Sequence, residues 1–74
     1  MLRYIERMVT ECTELKGRIN RVKKAVENPP FGSTEKGINL LKEQITAMEN
    51  YESILEQRIT YETSVAKGDN HAAR

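Results

Sequence analysis

Apolar residues recur through the first third of the chain at Leu2, Ile5, Met8, Cys12, Leu15, Ile19, Val22 and Val26, with separations that alternate between three and four. This is the period of a helix with one apolar stripe, and it predicts a long amphipathic helix over 2–27. Gly17 is its weak interior position, costing about 1 kcal/mol relative to alanine, among strong helix formers. Pairs at i and i+4, Arg7 with Glu11 and Glu14 with Arg18, are expected to support the solvated flank. The segment Asn28-Pro29-Pro30-Phe31-Gly32-Ser33 then stops the pattern. Two consecutive prolines cannot continue an intrahelical ladder, and the first biases Asn28 away from helical angles. A second helix is predicted over 34–66, capped by Ser33 or Thr34. Its stripe is Ile38, Leu41, Ile45, Met48, Leu55 and Ile59, with Glu52 where another apolar residue is due. Residues 67–74 read as a polar C-terminal tail.

Two long helices joined by a turn at 28–33 imply an all-α fold, an antiparallel two-helix hairpin over 1–66 with the two stripes facing each other. Folding back at Pro30 pairs Val26 with Ile38, Ile19 with Ile45, Leu15 with Met48, Met8 with Leu55 and Ile5 with Ile59. Cys12 then faces Glu52 as a small buried residue. With 74 residues and 38% apolar content, one hairpin offers little core to offset the entropy of ordering its chain. Assembly into a helical-bundle oligomer is therefore expected. The second helix carries a further stripe at the same spacing, Leu40, Gln44, Ala47, Tyr51, Ile54, Arg58 and Tyr61. Leu40, Ala47, Ile54 and Tyr61 are the expected interface residues of a homo-oligomer, most simply a symmetric dimer forming a four-helix bundle.

Composition narrows the function classes. Charged residues make up 31% of the chain, and no segment approaches the ~20 apolar residues of a membrane span. No membrane association is expected, and the cytoplasm is the expected location. One cysteine, Cys12, and one histidine, His71, leave no internal disulfide and no Cys/His metal cluster. No Gly-rich phosphate loop is present and no histidine stands on either helix to act as a base, so a non-enzymatic protein without cofactor or metal is expected.

The net charge of +1 hides a polarised molecule. Lys16, Arg18, Arg21, Lys23 and Lys24 crowd the end of the first helix, whereas the second carries Glu35, Glu43, Glu49, Glu52, Glu56 and Glu62. In one reading the basic end pairs with the acidic helix, for example Lys16 with Glu49. In the other, Arg21, Lys23, Lys24 and Lys42 form an anion site near the turn, where Lys23 and Lys42 approach as like charges. The six glutamates and the absence of bulk positive charge argue against a nucleic-acid binder.

The hairpin register gathers a second constellation. Tyr4, Glu11 and Arg18, with Arg7 one turn outward, flank the seam and meet Arg58, Tyr51 and Gln44. Tyrosines, arginines and an amide in one row can stack on a planar ring and grip phosphate, which makes Tyr4, Arg7, Arg18, Gln44, Tyr51 and Arg58 the candidate ligand-binding residues. The same groups would serve equally as a polar seam between subunits. Phe31, the only phenylalanine, is expected to fold back as a plug over the end of the hairpin; the alternative is an exposed anchor for a partner.

The opening Met1, Leu2, Tyr4, Arg7 and Met8, followed by Glu11, Glu14-Leu15 and Arg18-Ile19, resembles a family of short proteins of tailed phages and prophages, first catalogued in crAss-like phages. Glu27-Asn28-Pro29-Pro30-Phe31, Leu41-Lys42-Glu43-Gln44, Met48, Tyr51, Leu55 and Arg58-Ile59 continue the resemblance, which spans Met1 to Tyr61. It implies a phage accessory gene product and no assigned chemistry. By analogy with small phage proteins that counter host defence, the expected function is sequestration of a cyclic nucleotide-type immune signal at the subunit interfaces of an oligomer, in the host cytoplasm during infection or lysogeny. The alternatives are direct inhibition of a host defence protein, as anti-CRISPR proteins do, or a structural bundle without ligand.

Overall fold

Leu2 leads in extended conformation into α1 (Arg3–Glu27), and Thr34, also extended, leads into α2 (Glu35–Ala66), in a computed structural model that describes residues 2–67. The two helices fold back on each other as an antiparallel hairpin with overall dimensions of 56 × 19 × 14 Å. Both predicted helices are present. The start of α2 is fixed by Thr34, whose Oγ1 accepts the Gly37 N–H at 3.0 Å, satisfying one of the donors that a helix N-terminus leaves unpaired. Ser33, the other capping candidate, instead bonds the Pro30 carbonyl through its hydroxyl at 2.6 Å. The tail expected over 67–74 lies, beyond Lys67, outside the described residues.

The seam follows the three-and-four spacing, but unequally. On α1, Ile5, Met8, Cys12, Leu15 and Ile19 are buried, whereas on α2 only Leu55 is. The tightest packing is a cluster of Ile5, Met8, Cys12 and Leu55, joined by Ile59, at the end remote from the turn. Toward the turn, Val22, Val26, Ile38, Leu41 and Ile45 are only half-buried. Cys12 is a free, buried thiol within the cluster, as its place on the stripe implies. No helix among the described residues is long and apolar enough to cross a membrane.

Phe31 departs from expectation. It does not fold back as a plug: its relative exposure is 107%. The turn explains why. The Ser33 N–H donates to the Pro30 carbonyl at 3.0 Å, and Gly32 has a φ of 88°. A positive φ at the third position of a β-turn is the type II pattern, which glycine accepts without strain, and it leaves Phe31 at the outer corner. Hydrophobicity alone did not reveal that corner.

Two substitutions separate core from ornament. Leu55→Ala should cost about 2–5 kcal/mol, because its fully buried side chain leaves a cavity between the helices. Phe31→Ala should change stability by less than about 0.5 kcal/mol. Urea denaturation followed by helical circular dichroism measures both.

Candidate functional site

The charges of the hairpin are sorted to the two sides of the seam. On one side, α1 projects Lys16 and Lys23 toward Glu49, Glu52 and Glu56 of α2. The Lys16 ammonium donates to Glu52 at 2.6 Å and to Glu56 at 2.7 Å, and Lys23 pairs with Glu49 at 2.9 Å. These partners correct the expected pairing of Lys16 with Glu49. Helical side chains lean toward the N-terminus of their own helix, so across an antiparallel pair both partners reach about one turn back from their backbone level. Hydrogen bonding to Glu52, then to Glu56, raises the Lys16 pKa; hydrogen bonding to Glu49 raises that of Lys23. The carboxylate that Lys23 needs thus comes from within the chain. Glu52, the apparent gap in the apolar stripe of α2, is the half-buried acceptor of this network.

The other side is built differently. Tyr4, Arg7 and Arg18 share one flank of α1 by their three-and-four spacing, and Gln44, Tyr51 and Arg58 share the matching flank of α2. The contact that ties these flanks together is the Tyr4 hydroxyl, which donates to Glu62 at 2.8 Å. Tyr4 and Tyr51 remain exposed, at 42% and 43%. Gln44 bonds within its own helix, its amide donating to the Met48 sulfur at 3.8 Å. Among the described residues none of Arg3, Arg7, Arg18, Arg21 and Arg58 forms an ion pair, so the expected pairs of Arg7 with Glu11 and Glu14 with Arg18 are not closed. Lys24 and Lys42, the remaining anion-site candidates, are likewise exposed and unpaired among the described residues. The hairpin spends two lysines on internal bridges and leaves its arginines available.

Beside this flank, α2 exposes apolar surface. Leu40, Ile54 and Tyr61 are 53%, 56% and 62% exposed, and Ala47 between them is also exposed. The most pronounced surface depressions among the described residues are lined by other side chains, not by Tyr4, Arg7, Arg18, Gln44, Tyr51 or Arg58. One chain therefore offers the candidate ligand residues on an exposed flank. Among the described residues no group of three or more His, Cys, Asp or Glu side chains is placed to hold a metal ion.

Two participants were not found from the sequence, Glu62 as the acceptor for Tyr4 and Glu56 as the second acceptor for Lys16. Each stands one turn beyond a residue already singled out, Arg58 and Glu52, and the lean of helical side chains is the signal that finds them.

A family model described as Sequestin matches residues 2–61. The chain belongs to the Sequestin family. The matched stretch takes in both flanks of the seam, the Pro-Pro-Phe turn and the exposed stripe of α2 up to Tyr61, so the Sequestin match includes every candidate binding residue named above. No match was found among curated proteins or among solved structures.

The Tyr4 contact gives a titration test. Its neutral hydroxyl donates to Glu62, and ionisation would lose that bond and set two anions together, so its pKa is raised above 10.0. A raised folded-state value means that the contact's contribution to stability is complete below the unfolded pKa and is lost as pH rises through the folded value. Ultraviolet titration should show Tyr4 ionising above the ordinary phenol value, and Glu62→Gln should bring it back toward that value.

Proposed function

We propose that this chain is a non-enzymatic phage accessory protein of counter-defence, which assembles into an oligomer and sequesters a nucleotide immune signal at its subunit interfaces. The carrying observation is the division of charge. The lysines of one side are neutralised by Glu49, Glu52 and Glu56, whereas Arg7, Arg18 and Arg58 stand unpaired near exposed Tyr4 and Tyr51. Guanidinium groups bind phosphate in a bidentate manner, and tyrosine rings stack on bases. The family name, Sequestin, points the same way, toward capture rather than turnover. The phage setting rests on the resemblance described above, and the host cytoplasm is where such a signal would be met.

Enclosure is the reason for assembly. A flank that stands exposed on one hairpin buries little of a small molecule, and tight capture requires most of the ligand surface to be covered. A second copy laid against the flank supplies the missing wall.

A second reading is favoured by Phe31. A fully exposed phenylalanine at a hydrogen-bonded turn is the kind of anchor that inserts into a pocket of another protein. In that reading the chain inhibits a host defence effector by direct contact.

Calorimetry with a panel of cyclic di- and trinucleotides and cyclic ADP-ribose isomers distinguishes the two. Sequestration predicts binding of at least one of them, weakened about tenfold to a hundredfold by Arg58→Ala, the loss of one charged hydrogen-bonding group, and unchanged by Phe31→Ala. Absence of heat with every compound, together with recovery from infected lysate of one stoichiometric partner that Phe31→Ala fails to hold, would establish the second reading.

A further inference from the structure

The exposed stripe of α2 does not stop at Tyr61. Val65, half-buried in the last turn, continues it, so the stripe runs from Leu40 to Val65 with spacings of four, three, four, three, four, three and four. The spacing is the same in either direction. A helix face with that property can be laid antiparallel on a second copy of itself with every position of the stripe in register, the geometry of an isologous two-fold contact.

We propose that two copies pair antiparallel through α2 about the level midway between Tyr51 and Ile54, and that this pairing builds two equivalent anion sites from residues of both chains. The axis sets Tyr51 of each copy against Ile54 of the other. Farther out, Ala47 meets Arg58, a small residue opposite a long one, and Leu40 meets Val65. The occupant is a second copy because the face is matched to itself, and because α2 lacks the burial that α1 has: one buried residue against five.

The same axis acts on α1. Leu55 packs in one cluster with Met8 and Cys12, so the level between Tyr51 and Ile54, just before Leu55 in the chain, falls just after it on the antiparallel α1, between Glu11 and Glu14. The charges on that flank, Arg7, Glu11, Glu14 and Arg18, are themselves symmetric about this level. Each end of the pair therefore brings Arg7 of one copy to Arg18 of the other, with Tyr4 of the first and Arg21 of the second one turn farther out. Facing guanidinium groups repel unless an anion lies between them, and a phosphate accepts from both. Each site is incomplete on a single chain. The ligand side of this assignment rests on the sequestration reading; the pairing does not.

Cross-linking tests the pairing without any ligand. In a Cys12→Ala background, Leu40→Cys with Val65→Cys should form a disulfide-linked dimer on mild oxidation. The two positions stand about 37 Å apart along one helix at 1.5 Å per residue, too far to bridge within a chain. Neither cysteine alone should cross-link. Light scattering should give twice the 8.5 kDa chain mass, and Ile54→Glu should halve it. Cross-linking through Leu40→Cys alone would show a parallel contact and overturn the pairing, as would a monomer by mass.

Complementation tests the composite sites, with inorganic pyrophosphate as the probe in calorimetry. Arg7→Ala and Arg18→Ala should each abolish binding, and an equimolar mixture should regain roughly a quarter of the wild-type capacity, because half of the dimers are mixed and each of those holds one intact site. No regain, with cross-linking intact, would overturn the shared sites alone. Failure of every nucleotide to bind while both results hold would instead remove the sequestration reading.

Discussion

Two helices can bury only one strip each, and that limit shapes everything else in this molecule. Ile5, Met8, Cys12, Leu15, Ile19 and Leu55 fill the strip, and side chains off it must be accommodated on a flank or an outer face. In a larger bundle a third and fourth helix would cover the flanks. Here they are left to charge on one side and to arginine, tyrosine and aliphatic surface on the other. The asymmetry between the flanks is what makes the protein more than a strut, because one side is closed by its own bridges and the other has its arginines unspent.

The closed side shows how weak contacts can still select a geometry. Lys16 and Glu56 are exposed and Glu52 is only half-buried, and ion pairs so open to water contribute little to net stability. Their value lies in register and facing. A hairpin of long amphipathic helices could rotate slightly about its seam, and a forked bridge on one flank together with the Tyr4 to Glu62 bond on the other resists rotation in both directions. The arginine flank is thereby held at a defined angle to the exposed stripe of α2.

Much of the architecture was legible from spacing alone. Both helices, the turn and the pairing of Met8 with Leu55 follow from apolar residues three and four apart and from Pro29-Pro30. The capping role of Thr34 was one of two choices, settled by which hydroxyl lies three residues before a free N–H. Phe31 was misread because its apolar character suggests burial, whereas the hydrogen bond from Ser33 to Pro30 and the positive φ of Gly32 place it at a corner. Lys16 was assigned the wrong glutamate because a register counted between backbone levels ignores the slant of the side chains. The candidate ligand residues could be sorted onto one flank from their spacing, but that they lack ion pairs depends on where every carboxylate ends up.

The best-packed part of the hairpin is the end farthest from its turn, where Ile5 meets Leu55 and Ile59. The residues that hold the molecule together are thus close to the greatest sequence separation the hairpin allows. A chain built this way does not close like a zipper from Pro30 outward, since the half-buried residues near the turn return little for the first steps. Its folding waits on a long loop closing, a search whose entropic cost is met late. Contacts that steady α2 before α1 docks would shorten that search, so the folding rate of such a chain is set by how early its two far ends meet.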